Sequence, residues 1–471
     1  MDIKLRNFGK IKEADIQLSG LTLIAGPNDS GKSTVGKALF AIIKSIANYP
    51  DYFNQVNSEK LYREYLKPLR LELREIDRLI MLSSRKKSNV ATLFDEPDID
   101  KNKLQGLLEN IRRIFSRSMM RITDEQKVKL LTNIYNNVDF FRNKETVEEL
   151  IKNAIAFLNK GNDAKGKIQL IASRIFQDVF EGSLNNSVHK KDVSLINFES
   201  DGSTILSLSS KDDTLNCNEF NEVLHTFSDA TLIDNPFLLE NDYNNYNDYK
   251  EFYTLEFDTI AGIKRLDTTT DLVEKERLAA KKLNKDSYYE DLLGEFKKVF
   301  SKAQFKYSTS DNRLKYKVNK TSKELEISNI ASGCKSFGLL YILLKTGVIT
   351  KDSLIVFDEP ENHLHPEWQI KYAEIICKMV KNGFYVLLTS HSPYMIQALK
   401  TYSKKEGIFE NKVNFYFAAP DTKTENYSII ENVRDSNGNF DDSKIFKSLY
   451  APIEELNSIY AEIYKKSTGG L

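Results

Sequence analysis

A nine-residue run from Gly26 to Thr34 constrains the fold of this chain more than any other feature of its sequence. The run fits the pattern G-x-x-x-x-G-K-[ST], and it stands between an apolar stretch ending at Ala25 and a helical pattern from Ser33 to about Asn48. Glycines let the backbone curl so that successive N–H groups face a phosphate, and the helix that follows adds its N-terminal dipole. The run therefore predicts a phosphate-binding loop at the end of a buried strand.

The residue types in this loop indicate a nucleotide held together with a metal ion. The Lys32 ammonium would reach the β- and γ-phosphates, and the Ser33 hydroxyl would bind Mg²⁺. We therefore expect ATP and Mg²⁺ as ligands. The expected contacts to the nucleotide come from Gly26, Asn28, Ser30, Gly31, Lys32, Ser33 and Thr34.

Two carboxylates follow a second apolar stretch, Leu354 to Phe357. Asp358 is placed to hold Mg²⁺, either through water or together with Ser33. Glu359 is placed to orient and deprotonate the attacking water. Alone, a strand that ends in Asp-Glu could equally be an ordinary surface turn, but the phosphate loop upstream favours the catalytic interpretation.

A third apolar stretch is followed directly by His391. At the end of the strand after the Asp-Glu strand, this imidazole is predicted to reach the γ-phosphate, as a catalytic side chain beside Lys32 and Glu359. The alternative is a histidine that makes only a structural hydrogen bond.

The small-residue turn Ser332-Gly333 precedes an apolar helix that starts near Phe337. Such a turn before a helix is another anion-binding arrangement, so both residues are candidates for nucleotide contacts. The alternative is a plain helix N-cap at Ser332 or Ser336.

Together with Asn7-Phe8 before the first strand pair, these motifs resemble ABC-type ATPases of the RecF/SMC/OLD branch. The resemblance covers residues 1 to 48 and 305 to 420. Its most specific part is the run Asp-Glu-Pro-Glu-Asn-His-Leu-His-Pro from Asp358 to Pro366. This run is similar to ATPase subunits of bacterial anti-phage systems of the Septu and PARIS types, and to the ATPase half of OLD nucleases.

The resemblance implies that two heads pair head to tail, as a homodimer or a higher homo-oligomer. Each ATP would lie between the phosphate loop of one head and Ser332-Gly333 of the other. Ala331 stands where the family usually has Ser, and Cys334 where Glu or Gln is common. Loss of that hydroxyl would slow hydrolysis or weaken closure unless Ser332 substitutes for it. For the glutamine that usually contacts Mg²⁺, Gln55 is available, but nothing around it supports the choice.

The expected fold class is α/β, an ABC-ATPase head with a mixed sheet, an antiparallel β lobe and a large helical insertion. The expected divisions are residues 1–49 and 305–471 for the two parts of the core, 50–190 for the insertion, and 191–304 for a β lobe and helical arm. Helical spacing in the insertion is clearest at Leu61, Tyr65, Leu69 and Leu73. Its basic residues form a solvated helix face or a face that binds DNA or a partner; they are Arg85, Lys86, Lys87, Arg112, Arg113, Arg117 and Arg121.

Composition narrows the class of protein further. Lys plus Arg and Asp plus Glu number 67 each, so the chain as a whole is not of the basic type that coats nucleic acid. Three widely spaced cysteines exclude a disulfide framework and a cysteine-based zinc site. No apolar run reaches membrane-spanning length and no signal peptide is visible, so we expect a cytoplasmic protein without membrane contact. His363 and His365 could form a metal site with Glu361, but in the resembling family this run is a dimer-interface loop.

The leading functional hypothesis is an ATP-hydrolysing sensor or regulator of a bacterial anti-phage defence system, acting with a separate nuclease or toxin as effector. Only 80 residues (471 minus 391) follow His391, too few for the metal-nuclease domain of OLD nucleases. One alternative is a RecF-like ATPase of DNA repair or recombination, for which the basic insertion would contact DNA. Another is an ATP-binding scaffold that does not hydrolyse ATP, which Ala331 and Cys334 favour.

Overall fold

The computed structural model describes residues 1–47, 61–72, 101–114, 123–138, 143–160, 164–186, 188–189, 192–224, 227–235, 267–284, 287–300, 303–308, 313–319, 321–424, 426–434 and 439–468. The chain divides into two compact units. The first consists of Met1–Ala47, Ala172–Lys250 and Arg265–Leu471, and the second of Asn48–Ile171 and Glu251–Lys264. The described elements confirm the α/β class with a mixed sheet, an antiparallel β lobe and a large helical insertion. The four expected sequence divisions stay a prediction.

The first unit is built on an eleven-stranded sheet with the order β6-β5-β4-β1-β2-β14-β13-β3-β12-β11-β7, beside a small sheet of β10, β9 and β8. The strands are β1 Asp2–Phe8, β2 Ile11–Gln17, β3 Leu21–Ala25, β4 Ser194–Ser200, β5 Ser203–Lys211, β6 Thr214–Phe220, β7 Asp229–Ile233, β8 Gln304–Ser308, β9 Arg313–Lys317, β10 Leu325–Glu326, β11 Ser353–Asp358, β12 Tyr385–Ser390, β13 Val413–Pro420 and β14 Ser428–Asn432.

Helix α1, Lys32–Ala47, follows β3 directly after the predicted phosphate loop. The other described helices of the first unit are Thr268–Lys282, Glu290–Phe300, Ser332–Lys345, Pro366–Lys381, Pro393–Lys405, Phe409–Lys412 and Ser443–Thr468. None of the described helices combines the length and apolarity needed to cross a membrane.

The parallel strands at the centre of the sheet bring three chain segments to one edge. β3 lies between β13 and β12, and β12 pairs with β11 on its other side. The residues of β3 and most of β11 are buried, as expected for parallel strands covered on both faces. In the register, Ala25 is opposite Ser390 and Asp358 is opposite Thr389. The residues that follow β3, β11 and β12 therefore emerge side by side.

The antiparallel lobe is formed by β1, β2, β4, β5 and β6. The hairpin of β4 and β5 turns at Asp201 and Gly202, whose φ angles are 50° and 79°. Two central residues with positive φ are typical of the tight turns that match strand twist, which is why an Asp-Gly pair predicts this hairpin. β14 pairs with β2 and joins the lobe to the parallel strands.

Aromatic side chains join the helices Ser332–Lys345 and Pro366–Lys381 to strand β11. Phe337, in the helix Ser332–Lys345, packs edge-on against Tyr372 with 5.0 Å between ring centroids. Tyr372 also meets Phe357 of β11 edge-on at 5.8 Å. All three side chains are essentially inaccessible to solvent. This packing holds both helices against the strand that ends in Asp358.

The described part of the second unit is helical and has its own apolar core. Its elements are a π-helix, Tyr62–Leu66, and the α-helices Lys67–Glu72, Lys101–Ile114, Asp124–Tyr135 and Lys144–Lys160; a further helix, Ala164–Phe180, continues into the first unit. Leu61 and Leu69 are fully buried and Tyr65 packs beside them, as their spacing predicts. Leu73, Gln55, the basic run 85–87, Arg117 and Arg121 lie outside the described residues.

Candidate nucleotide-binding site

The predicted phosphate loop follows β3 and curls through backbone conformations that favour glycine and aspartate. The Gly26 amide donates to the Ser390 carbonyl at 3.3 Å, and a Cβ on Gly26 would lie 2.4 Å from the Ala418 carbonyl oxygen. Only glycine fits so close to another backbone. Asp29 and Gly31 have φ angles of 64° and 78°. The left-handed conformations let the amides of the loop turn toward a common anion.

Lys32 is the first residue of α1 and lies almost wholly inside the loop, with 3% of its surface exposed. Its Nζ atom donates to the Pro27 carbonyl at 2.6 Å and lies 3.5 Å from Glu359 Oε1. Burial lowers the pKa of the Lys32 ammonium, an effect that the nearby carboxylates oppose. A buried ammonium is stable only when it is paired, and a phosphate group would pair with Lys32 more strongly than the neutral Pro27 carbonyl does.

Ser33 and Asp358 bring two oxygen atoms together from α1 and from the end of β11. The Ser33 hydroxyl donates to Asp358 Oδ1 at 2.8 Å, and the Thr389 hydroxyl donates to the same oxygen at 2.5 Å. Hydroxyl and carboxylate oxygens are the ligands that Mg²⁺ takes in phosphate-binding sites. The two residues therefore fit the predicted magnesium ion.

Glu359 stands between the Lys32 ammonium and the His391 imidazole. Its Oε1 atom lies 3.5 Å from Lys32 Nζ and 3.3 Å from His391 Nδ1, and Asn362 donates to Oε2 at 3.3 Å. The backbone of Glu359 has a φ of 50°, and its amide donates to the Thr389 hydroxyl at 3.1 Å. The His391 contact, with Lys32 and Asn362 behind it, lowers the pKa of the Glu359 carboxyl to about 2. This carboxylate is therefore ionised near neutral pH.

His391 follows the last residue of β12 and contacts the two glutamates of the Asp-Glu-Pro-Glu run. Besides Glu359, its Nδ1 atom approaches Glu361 Oε1 at 3.6 Å. The Glu359 contact raises the pKa of the imidazole, against the effect of partial burial. The three predicted catalytic side chains, Lys32, Glu359 and His391, thus form one contiguous cluster.

Glu361 is a residue of this site that the sequence reasoning weighed only as a metal ligand. It is 4% exposed, and its Oε1 atom accepts hydrogen bonds from the Ser390 hydroxyl at 2.6 Å and from the amides of His391 and Ser392 at 2.9 Å and 3.2 Å. Burial raises the pKa of its carboxyl. Oε2 is buried without a hydrogen-bond partner among the described residues. Glu361 therefore ties the loop after β11 to the loop after β12.

The turn Ser332-Gly333 packs against the end of the same Asp-Glu-Pro-Glu run. The Ser332 hydroxyl donates to the His363 carbonyl at 3.1 Å, and a Cβ on Gly333 would lie 2.8 Å from the Trp368 ring. The helix begins at Ser332, with Ala331 as its N-cap and no side-chain capping bond. The alternative of a plain N-cap at Ser332 or Ser336 is therefore wrong, because the Ser332 hydroxyl is directed to His363.

A cavity of about 600 Å³ opens on the phosphate loop. Its volume lies within the range of small-molecule sites. Its lining includes residues 29–34 and Glu359, and not Ser332 or Gly333. The opposite wall was missed by the sequence reasoning because no motif marks it; it comprises Gly9, Lys10, Phe180, Ser183, Asn185, Asn186 and Asn426. Lys10 forms an ion pair with Asp29 of the loop.

His365 and Glu361, two of the three residues considered for a metal site with His363, form hydrogen bonds elsewhere. His365 caps the helix Pro366–Lys381 by accepting a hydrogen bond from the Glu367 amide at 3.4 Å. Glu361 faces the loop after β12. Across the described residues, no group of three or more His, Cys, Asp or Glu side chains is arranged to hold a metal ion.

Comparisons with known proteins identify the family. Among solved structures, the chain is similar to the SMC head domain from Thermotoga maritima, at 10% identity and a TM-score of 0.36, over 92% of this chain and 98% of that one. It is also similar to the Smc head domain with an extended coiled coil from Pyrococcus furiosus, bound to the C-terminal domain of ScpA, at 11% identity and a TM-score of 0.31, over 98% of each chain. At these TM-scores the assignment rests on the sequence match alone. The AAA ATPase domain family (AAA_15) matches residues 1–396, which is most of the chain. The chain therefore belongs to the AAA ATPase domain family.

Proposed function

We propose that this chain binds ATP with Mg²⁺ at the loop Gly26 to Thr34 and hydrolyses it. One observation carries the proposal: Lys32, Asp358, Glu359 and His391 converge from the ends of three neighbouring strands on one point. The ends of parallel strands are where α/β proteins bind ligands. Few arrangements other than a triphosphate site call for a buried lysine, a Ser–Asp oxygen pair and a carboxylate–imidazole pair together.

ATP and Mg²⁺ would replace contacts that the residues of the site now make with one another. The loop amides and the N-terminus of α1 would receive the phosphates, and Lys32 would exchange the Pro27 carbonyl for phosphate oxygens. Ser33 and Asp358 would hold Mg²⁺, which neutralises phosphate charge when bound. Gly26, Asn28, Ser30, Gly31 and Thr34 complete the proposed nucleotide contacts.

Glu359 would act as the base that orients and deprotonates water. With a pKa of about 2, it is a weak base while Lys32 and His391 contact it. A triphosphate would draw Lys32 toward itself and add negative charge nearby, and both changes raise the proton affinity of the carboxylate. An N–H of the His391 imidazole would then donate a hydrogen bond to an oxygen of the γ-phosphate. The site would thus become catalytic only when nucleotide is present.

A second copy of the chain would complete the site. Ser332 and Gly333 do not line the cavity beside their own phosphate loop. They begin a fourteen-residue helix that no side chain caps, so its first amides are available to an anion. We therefore propose a head-to-tail homodimer in which this turn contacts the γ-phosphate bound to the partner subunit.

ATP turnover of a Glu359→Gln variant tests the hydrolytic function. We expect turnover to fall roughly 100- to 10,000-fold, the usual contribution of general-base catalysis, while ATP binding persists. The matched control is Glu367→Gln, which makes the same chemical change at an exposed position shortly downstream. If wild type and Glu359→Gln turn over ATP at the same rate, the chain is the non-hydrolysing scaffold that Ala331 and Cys334 favour.

We further propose that the ATPase regulates a bacterial anti-phage defence system with a separate effector. The similarity of the run Asp358 to Pro366 to such ATPase subunits supports this role. Phage plaquing should fall when the gene and its neighbours are introduced into a susceptible host, and it should recover when the same genes carry Lys32→Ala. Plaquing that does not change with the wild-type genes would remove this role and leave the ATPase assignment intact.

A further inference from the structure

The last helix of the chain, Ser443–Thr468, packs against the core of the first unit over about its first two turns only. Ile445 is fully buried in the main core, and Phe446 and Leu449 pack against it. From Tyr450 to Tyr464 every residue is exposed. At 1.5 Å per residue, the part from Tyr450 to Thr468 extends for about 28 Å. Tyr450 stacks on Phe446 with 5.9 Å between ring centroids, and residues 451–464 beyond it are exposed around the whole helix.

One face of this exposed segment is apolar along its whole length. Leu449, Ile453, Leu456, Tyr460 and Ile463 follow one another at alternating intervals of four and three residues, which is the spacing of a coiled-coil seam. The exposed fractions of Leu456 and Tyr460 are 65% and 70%. Tyr450, Ile459 and Tyr464 widen the same face. We name this face, formed by residues 450, 453, 456, 459, 460, 463 and 464, the C-terminal seam.

The opposite face of the segment carries its charges. Glu454, Glu455 and Glu462 lie there with Ser458, and the segment's two lysines, Lys465 and Lys466, follow near the end of the helix. An amphipathic helix that rests on an anionic lipid surface needs basic residues along its polar face, whereas residues 451–464 carry only glutamates there. A strongly charged protein partner would likewise find no counter-charge on the seam. The complementary surface is apolar, linear and uncharged.

We infer that the C-terminal seam pairs with the same seam of a second copy of this chain, without nucleotide. Each copy offers a surface of the required kind, so a two-fold axis makes the pairing self-complementary. The seven side chains from Tyr450 to Tyr464 expose about 700 Å² of mainly apolar surface, estimated from typical residue areas. That is close to the roughly 800 Å² per partner of a stable interface. This contact is separate from the proposed head-to-tail pairing, which requires ATP.

The molecular mass of the full chain in nucleotide-free buffer with a chelator tests the pairing. One chain has a mass of 54.1 kDa, so light scattering after size exclusion should give 108.2 kDa (2 × 54.1) at micromolar concentration. The double variant Leu456→Glu, Ile463→Glu should give 54.1 kDa, with its circular dichroism unchanged because Glu favours helices. The control variant Ser458→Glu adds a charge on the opposite face and should stay dimeric. A wild-type mass of one chain, or a dimer that survives the double variant, would overturn the inference.

Cysteine crosslinking locates the contact independently of stability. Leu456 lies at the middle of the seam, so Leu456→Cys should form an intermolecular disulfide in mild oxidant whichever way the two helices run. Glu454→Cys, on the opposite face, should not. Cys217 and Cys377 are buried, and Cys334 would be replaced by Ser in both variants. Equal crosslinking of Leu456→Cys and Glu454→Cys would show random collision and would contradict the pairing.

Discussion

Glu361 provides the sharpest test of how the site is held together. The Glu361→Ala change removes the acceptor shared by the Ser390 hydroxyl and the amides of His391 and Ser392. The Ser392 amide also donates to the Ser390 hydroxyl at 3.1 Å, so two donors lose their acceptor. An unsatisfied buried donor costs about 1–3 kcal/mol, which sets a ceiling of about 6 kcal/mol. Water entering the vacated space and the loss of the partnerless Oε2 atom offset part of this cost. We expect a loss of about 3–4 kcal/mol in the free energy of unfolding of the first unit.

The Glu361→Gln variant is the matched comparison. Its amide oxygen can still accept the three hydrogen bonds, and its NH₂ group replaces Oε2, so one buried polar group without a partner is exchanged for another and that cost largely cancels. We therefore expect a change of less than about 1 kcal/mol. ATP turnover should follow the same order, because His391 depends on this loop: about a 10- to 100-fold loss for Ala and little for Gln. Nucleotide affinity should remain in both variants, since Lys32 is untouched.

Native-state hydrogen exchange at the His391 and Ser392 amides is the direct assay for this prediction. In Glu361→Ala, both amides should exchange faster by the factor that corresponds to the lost free energy, while amides of the second unit keep their rates. Equal protection of these amides in Glu361→Ala and wild type would contradict the role of Glu361 as their acceptor. Equal damage by Gln and Ala would also contradict it, because Gln keeps the acceptor oxygen.

Further predictions concern two helical glycines, Gly36 and Gly294, and the His391 imidazole. Gly36→Ala places a Cβ 2.8 Å from Val356 Cγ1, and overpacking of about 1–3 kcal/mol should exceed the gain of about 1 kcal/mol in helix propensity. Gly294→Ala, which meets nothing within 4 Å, should instead stabilise by about 0.5–1 kcal/mol, and denaturant unfolding of both variants measures the contrast. The Glu359 contact raises the pKa of His391, so its contribution to stability is full below the unfolded pKa of 6.5 and is lost as pH rises through the higher folded value. The stability difference between wild type and His391→Asn should therefore shrink above neutral pH; a difference that grows with pH would contradict it.

The sequence predicts the functional edge of the sheet because the information there is local. The loop before α1, the Asp-Glu pair after β11 and the histidine after β12 each follow a buried apolar strand, and parallel pairing brings such strand ends together. The same holds for the β4–β5 hairpin, where the turn residues Asp201 and Gly202 fix the connection. In each case the deciding contacts lie within a few residues along the chain.

The remaining features of the site depend on contacts between distant parts of the chain. Glu361 turns inward because the loop after β12 presents three donors to it, which no local pattern shows. The wall of the cavity opposite the phosphate loop is built by Phe180, Asn185 and Asn426, from segments far apart in sequence. The sequence allows Ser332 as a helix N-cap. In the structure its hydroxyl instead donates to the His363 carbonyl, and Ala331 is the N-cap residue.

Equilibrium binding of ATP to wild type and to Lys32→Ala tests the central claim most directly. Lys32 is buried inside the loop and can make charge-assisted hydrogen bonds to phosphate, worth about 1.5–3 kcal/mol each. We predict that Lys32→Ala binds ATP at least about 10-fold more weakly, and about 100-fold if two such bonds are lost. The control Lys37→Ala, further along α1 and not part of the cavity lining, should bind as wild type does. Unchanged affinity in Lys32→Ala would contradict the claim that these strand ends surround a triphosphate.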